Sequence, residues 1–182
     1  YRDQMLKAMV RGIKSVEDSD YPVPESLRGV LREYQRVGYC WLKTLDSYGF
    51  GGILADDMGL GKTIQIITLL KDAYGTGERQ PSLIICPASL VYNWEHEIGR
   101  FAPDLRVLSI VGNGPEREAR LSAVREQLSG EAGDGYQVLV TSYDLLKRDI
   151  RFYEDIHFRY QVIDEAQYIK NAATQSAKAV KA

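Results

Sequence analysis

The chain has 182 residues, 45% of them apolar, with 23 Lys and Arg against 25 Asp and Glu. That much apolar surface offsets chain entropy and excludes disorder, while 16 scattered Gly and 6 Pro exclude collagen-like and low-complexity chains. A net charge of −2 leaves nucleic-acid binding to local patches. No apolar run reaches the roughly 18 residues of a membrane span and the first residues lack a signal-peptide core, so a soluble intracellular protein with no membrane partner is expected.

Residues 1–20 read as a weak amphipathic helix (Met5, Leu6, Met9, Val10, Ile13) and an acidic stretch, followed by Tyr21-Pro22-Val23-Pro24. The two prolines mark a linker, so residues 1–26 are set apart from a single domain over 27–182. From Leu27 the pattern is helical, with Leu31, Tyr34, Val37, Gly38, Trp41, Leu42 and Leu45 at steps of three and four. Strands are predicted at 52–55, 82–86, 106–111, 137–141 and 161–164. They are short and rich in Val, Ile and Leu, as strands buried on both faces are. Helices are predicted between them at 62–74, 90–101, 115–128 and 142–152, and residues 130–135 read as a flexible loop. This rhythm implies an α/β fold, a mostly parallel sheet flanked by helices on both faces, with ligands beyond the carboxyl ends of the strands. Cys40 and Cys86 lack C-x-x-C spacing and read as buried free thiols.

After the predicted strand at 52–55 comes Asp56-Asp57-Met58-Gly59-Leu60-Gly61-Lys62-Thr63 and then the apolar helix Ile64, Ile66, Ile67, Leu69, Leu70. A Gly-rich turn entering a helix converges backbone N–H groups on one point, and with the helix dipole they attract phosphate oxygens. Lys62 would then sit on the β- and γ-phosphates of a nucleotide and the Thr63 hydroxyl on Mg²⁺. The strict G-x-x-x-x-G-K-[ST] pattern is broken at position 56, where Asp56 stands in place of Gly. The alternative is a Gly-rich turn with an incidental Lys. A Lys in the first helical turn faces the positive end of the dipole at a cost of about 0.3–1 kcal/mol, which a bound anion explains.

The last predicted strand runs into Asp164-Glu165-Ala166-Gln167. Adjacent carboxylates at the mouth of a sheet repel each other and lose hydration, unless a cation such as Mg²⁺ is near. Asp164 would hold the metal, usually through water, and Glu165 would polarise the attacking water. The alternative is a solvated strand-end acid pair.

Asp164-Glu165-Ala166-Gln167 followed by Tyr168-Ile169-Lys170-Asn171 resembles the DEAQ/DEAH box of superfamily 2 helicase-like ATPases, and the Ile-Lys-Asn tail is similar to the Swi/Snf branch. Residues 31–42 resemble that branch's Q motif, which implies that Gln35 reads adenine through its amide. Residues 57–63 resemble its version of the P-loop, which accounts for the missing first Gly. The resemblance implies nucleotide contacts at Asp57, Met58, Gly59, Leu60, Gly61, Lys62, Thr63 and Ile64, with Thr63 and Asp164 on the metal. It implies a catalytic set of Lys62, Asp164, Glu165 and Gln167. Residues 86–97 are similar to motif Ia and 138–143 to motif Ib, both of which face the nucleic-acid groove in the family. That implies phosphate contacts from Pro87, Ala88, Ser89, Thr141 and Ser142, made without reading sequence. Taken singly, Ser89, Thr141 and Ser142 read as ordinary N-caps.

The resemblance runs from about Leu27 to the end of the chain. It implies a RecA-like, three-layer first lobe of an ATP-dependent translocase that tracks double-stranded DNA without separating its strands and remodels protein–DNA complexes. It also implies a second RecA-like lobe with an arginine finger, and the chain stops before motif III. Since such an arginine is worth about 10³–10⁵ in rate, this piece alone is expected to bind ATP weakly and hydrolyse it very slowly. The expected location is the cytoplasm or nucleoid of a bacterium or the nucleus of a eukaryote. An RNA helicase or other P-loop ATPase, and an inactive scaffold lobe, are the alternatives. The scaffold has no need of a repelling acid pair, and the Ile-Lys-Asn tail favours the translocase.

Other features carry less. Leu128-Ser129-Gly130-Glu131 lacks the second Gly and the Gln of an ABC signature, and His96-Glu97 lacks a second histidine because position 100 is Arg100. His157 stands alone. Tyr34, Tyr39, Trp41 and Trp94 read as helix-packing groups rather than base-stacking platforms. No Asn-Lys-x-Asp motif appears, which argues against a GTPase.

Overall fold

The structure, a computed structural model, describes residues 21–55, 61–130 and 135–169. The helix expected over 1–20, Asp57, Met58, Gly59 and Leu60 of the phosphate loop, most of the 130–135 loop, and Lys170 and Asn171 lie outside the described residues. The chain divides into two compact units, Tyr1–Thr76 and Gly77–Ala182.

In the first unit a 3₁₀ turn, Glu25–Leu27, precedes helix α1, Glu33–Ser47, and helix α2, Lys62–Gly75. Tyr39, Cys40, Leu42 and Leu45 bury one stripe of α1, and Ile64, Ile67, Leu70 and Tyr74 bury the matching stripe of α2. The helices meet closely at Gly38, where an added Cβ would collide with the Gln65 amide. A 2.7 Å ion pair from Lys43 to Asp72 joins them further along.

The strand expected over 52–55 is absent: these residues have no regular structure, and Ile53 is 83% exposed. Gly52 instead lies against α1, with an added Cβ falling 2.5 Å from Leu45 Cδ1 and 2.7 Å from the Trp41 ring. Gly51 and Gly52 bring no side chain to a strand interior and lose the most backbone entropy on ordering, so Ile53 and Leu54 alone do not sustain a ladder.

The second unit is built on four parallel strands, β1 (Ser82–Cys86), β2 (Val107–Ser109), β3 (Val138–Ser142) and β4 (Gln161–Ile163), in the order β2-β3-β1-β4. In register, Ile84 pairs with Val140 on one side and Val162 on the other. Every residue of β1 and β3 is buried, so both faces of the middle of the sheet are covered. That is why these strands read as unbroken apolar runs. Helices α3 (Val91–Phe101), α4 (Gly114–Ser129) and α5 (Tyr143–Asp149) connect them. Leu121 and Val124 of α4 and Tyr143 and Leu146 of α5 pack with Leu83, Ile85 and Leu139 in one core.

The ends of these elements have local causes. A 3₁₀ turn, Ala88–Leu90, leads into α3, and another, Ile150–Phe152, closes α5, so the helices predicted at 90–101 and 142–152 are each a helix joined to a turn. Asn113 caps α4 by accepting from the Glu116 N–H at 2.9 Å while Glu116 accepts from the Asn113 N–H at 3.0 Å. Both cysteines are free and buried.

Candidate functional site

In the first unit the groups that could meet a nucleotide gather where the chain enters α2. Gly61 is the residue before the helix, at φ +74 and ψ +47. An added Cβ there would also collide with the Gln35 amide nitrogen, so glycine is needed both for backbone conformation and for space. Gln35 is buried in the first turn of α1, and its Oε1 accepts from the Arg32 N–H at 2.9 Å. Its amide thus fixes the start of α1 while lying against the end of the phosphate loop.

Lys62 and Thr63 are the first two residues of α2, both half-buried, and Ile64 is buried behind them. Gly61 has no side chain to cap the helix, and the first turn carries no acidic residue. N–H groups of a first helical turn point out of the helix end, and an anion is the acceptor the dipole favours there.

In the second unit the acid pair follows β4. The Asp164 N–H still donates to the Ile85 carbonyl at 2.8 Å, so its backbone continues the ladder. Its carbonyl accepts from the Tyr143 hydroxyl at 2.6 Å. One carboxylate oxygen, Oδ1, accepts from the Glu165 N–H at 2.9 Å, and the other, Oδ2, from the Trp94 indole N–H at 2.9 Å. Glu165 has φ +54, the one positive φ outside glycine among the described residues. Its Oε2 accepts from Gln167 Nε2, and the Tyr168 ring stacks on Tyr143 with centroids 5.4 Å apart.

The field of this corner is visible in its neighbours. Burial, then the charge of Asp164, pushes the Cys86 thiol up to about 12 from an ordinary 9.0. The same two causes, in the same order, raise the Tyr143 hydroxyl above its ordinary range. Both stay neutral at physiological pH, and the Cys86 S–H donates to the Thr141 carbonyl at 3.7 Å.

Each oxygen of Asp164 holds one N–H and keeps a second lone pair, a hard oxygen donor of the kind Mg²⁺ takes from a protein. Among the described residues no cluster of three or more His, Cys, Asp and Glu is placed to hold a metal. The donor set therefore fits an ion that arrives with phosphate oxygens rather than one caged by protein alone.

Of the residues expected to meet nucleic acid, Ala88 and Ser89 are exposed in the turn before α3 and Pro87 is half-buried. Thr141 and Ser142 differ: both side chains are buried. The Thr141 hydroxyl points at the Ile110 carbonyl, 3.4 Å away, and Ser142 Oγ caps α5 by accepting from the Leu145 N–H at 3.3 Å. These two hydroxyls are spent inside the fold, because β3 runs buried to its last residue.

Trp94 and Tyr143, which the sequence offers only as packing groups or as part of a motif, turn out to grip Asp164. Their partner is 70 and 21 residues away, and no local spacing signals such a pairing.

The SNF2-related domain family matches residues 34–182 of this chain. The chain belongs to that family. It is 45% identical over 152 residues to an uncharacterised ATP-dependent helicase of Mycoplasma genitalium, covering 83% of this chain and 14% of the relative. It is 39% identical over 165 residues to the chromatin-remodeling ATPase INO80 of Drosophila melanogaster, covering 89% of this chain and 10% of that protein. Among solved structures it is similar to the Sulfolobus solfataricus SWI2/SNF2 ATPase core in complex with double-stranded DNA. There the TM-score is 0.73 at 39% identity, covering 88% of this chain and 32% of that one. The SNF2-related chain described here therefore spans about a tenth to a seventh of these two curated relatives, and its fold matches about a third of an SWI2/SNF2 ATPase core. No helix among the described residues is long and apolar enough to cross a membrane.

Proposed function

We propose that this chain is the ATP-binding first RecA-like lobe, over 27–182, of an SNF2-type translocase that hydrolyses ATP while tracking along double-stranded DNA. The observation that carries the nucleotide reading is the entry into α2, where Lys62 and Thr63 occupy a first turn with no side-chain cap and no acid. The likeness to the S. solfataricus core solved with duplex supports the DNA reading.

Gln35 holds the adenine. The loop 57–61 and the N–H groups of Lys62, Thr63 and Ile64 surround the phosphates, with the Lys62 ammonium on the β- and γ-phosphates. Thr63 and Asp164 hold Mg²⁺, which supplies positive charge against the phosphate oxygens. The Glu165 carboxylate takes the hydrogen bond of the attacking water, and Gln167, which donates to Glu165 Oε2, orients it. The second lobe adds an arginine, worth about 10³–10⁵ in rate, so this lobe alone turns over very slowly.

Ala88 and Ser89 meet the DNA backbone through their N–H groups and the Ser89 hydroxyl, and Pro87, which has no N–H to offer, fixes the chain direction ahead of them. The target is a protein–DNA complex in the cytoplasm of a bacterium or the nucleus of a eukaryote.

The test is ATP turnover by the full-length protein with double-stranded DNA, single-stranded DNA and RNA side by side. Duplex is expected to stimulate most, with affinity falling steeply as salt rises. Stimulation by RNA alone overturns the reading.

A further inference from the structure

We propose that Trp94 is a positioning residue for the reaction: its indole N–H sets the plane of the Asp164 carboxylate so that the carboxylate meets Mg²⁺. This inference rests on the functional reading above, in which Asp164 serves the metal. Trp94 lies one turn into α3 and is 3% exposed, so its ring is held by the core and water does not compete for its N–H. The N–H reaches Asp164 Oδ2 at 2.9 Å, opposite the Glu165 N–H on Oδ1. One donor on each oxygen stops rotation about the bond that carries the carboxylate, because turning it breaks both hydrogen bonds at once.

The main chain of the same residue is tied separately, through Ile85 and Tyr143. Trp94 therefore governs where the carboxylate points rather than where the residue stands. A purely apolar role at this core position asks only for aromatic bulk, and Phe supplies that without a donor. An indole costs buried polarity unless its N–H is used, and here it is used on the acid. Groups that orient a metal-binding side chain in this way typically change metal affinity or activity by about 10–100-fold when removed.

The experiment compares wild type, Trp94→Phe and a protein carrying β-(3-benzothienyl)alanine at position 94, an isostere of indole without the N–H. All are made in the full-length protein. Duplex-stimulated ATP turnover is titrated with Mg²⁺, and the rise in Tm on adding a non-hydrolysable ATP analogue is measured with Mg²⁺ and with EDTA. Both variants are expected to need about 10–100-fold more Mg²⁺ for half-maximal turnover. They are expected to lose the Mg²⁺-dependent part of the Tm rise while keeping the part seen in EDTA.

If Trp94→Phe fails to fold, the isostere, which keeps the ring shape, gives the answer. Wild-type Mg²⁺ dependence in the isostere overturns the positioning role and leaves the functional reading intact. Equal loss of the EDTA part shows a merely structural residue and also overturns it. A wild-type protein with no Mg²⁺-dependent turnover overturns the functional reading and this inference with it.

Discussion

Glu165 sits at φ +54, where an L side chain costs about 1–2 kcal/mol relative to a right-handed conformation. The surrounding hydrogen bonds hold it there: its N–H is taken by Asp164 Oδ1 and its carbonyl by the Tyr168 N–H at 3.0 Å. A strained backbone at the residue assigned to the attacking water is a cost accepted for geometry. Glu165→Gly, which removes the side chain and tolerates φ above zero, is therefore expected to stabilise the fold by about 1 kcal/mol in chemical unfolding. It should also abolish ATP turnover. A destabilised Glu165→Gly contradicts the strain. Gly61 makes the converse case, and Gly61→Ala is expected to lower stability by at least about 1–2 kcal/mol, since the new Cβ meets both the left-handed backbone penalty and the Gln35 amide.

Between elements, α4 and α5 are locked by Arg117 and Asp149, paired at 2.5 and 3.0 Å with both side chains more than nine-tenths buried. The remaining Arg117 nitrogen donates to the Gly112 carbonyl at 2.6 Å, so each guanidinium nitrogen has a partner. Removing one partner strands a buried charge. Arg117→Met is expected to destabilise by about 3–5 kcal/mol in urea unfolding, with Arg117→Met/Asp149→Leu recovering most of the loss. An additive double mutant contradicts the pairing.

The element scale also shows what was legible in the sequence. β1 is readable because Leu83-Ile84-Ile85 is the short branched apolar run that a strand covered on both faces carries, and α4 because the stretch between two such runs has the length of a crossover helix. Residues 52–55 have the apolar content of a strand, but the adjacent Gly51 and Gly52 cost more backbone entropy than Ile53 and Leu54 offset, and no strand forms. Thr141 and Ser142 carry the right residue types, but which hydroxyl reaches the surface depends on how deeply β3 runs. The grip of Trp94 on Asp164 is a contact across the fold, and periodicity along α3 explains the ring while leaving its N–H without a partner.

For the whole molecule, the groups raised by burial set the response to alkali. Cys86 is held up to about 12, and Tyr39, Tyr143 and Tyr153 are pushed above their ordinary 10.0. In each case burial is the leading cause. The unfolded chain releases these protons first, so the folded state binds more protons and stability falls as pH rises. Stability from these groups is fully present below about pH 9 and is lost from pH 9 upward, beginning with Cys86. Tm measured from pH 7.5 to 11 is expected to fall above pH 9, and a flat profile contradicts the burial.

The acid pair and the phosphate loop are proposed to act on one nucleotide in different roles, and substitutions in the full-length protein separate them. Single-turnover ATP cleavage and nucleotide-induced stabilisation are measured with Mg²⁺ for wild type, Lys62→Ala and Glu165→Gln. Glu165→Gln is expected to keep the stabilisation, about 2.7 kcal/mol at 100 times Kd, and to lose cleavage, while Lys62→Ala loses both. Wild-type stabilisation in Lys62→Ala, or wild-type cleavage in Glu165→Gln, contradicts the central assignment.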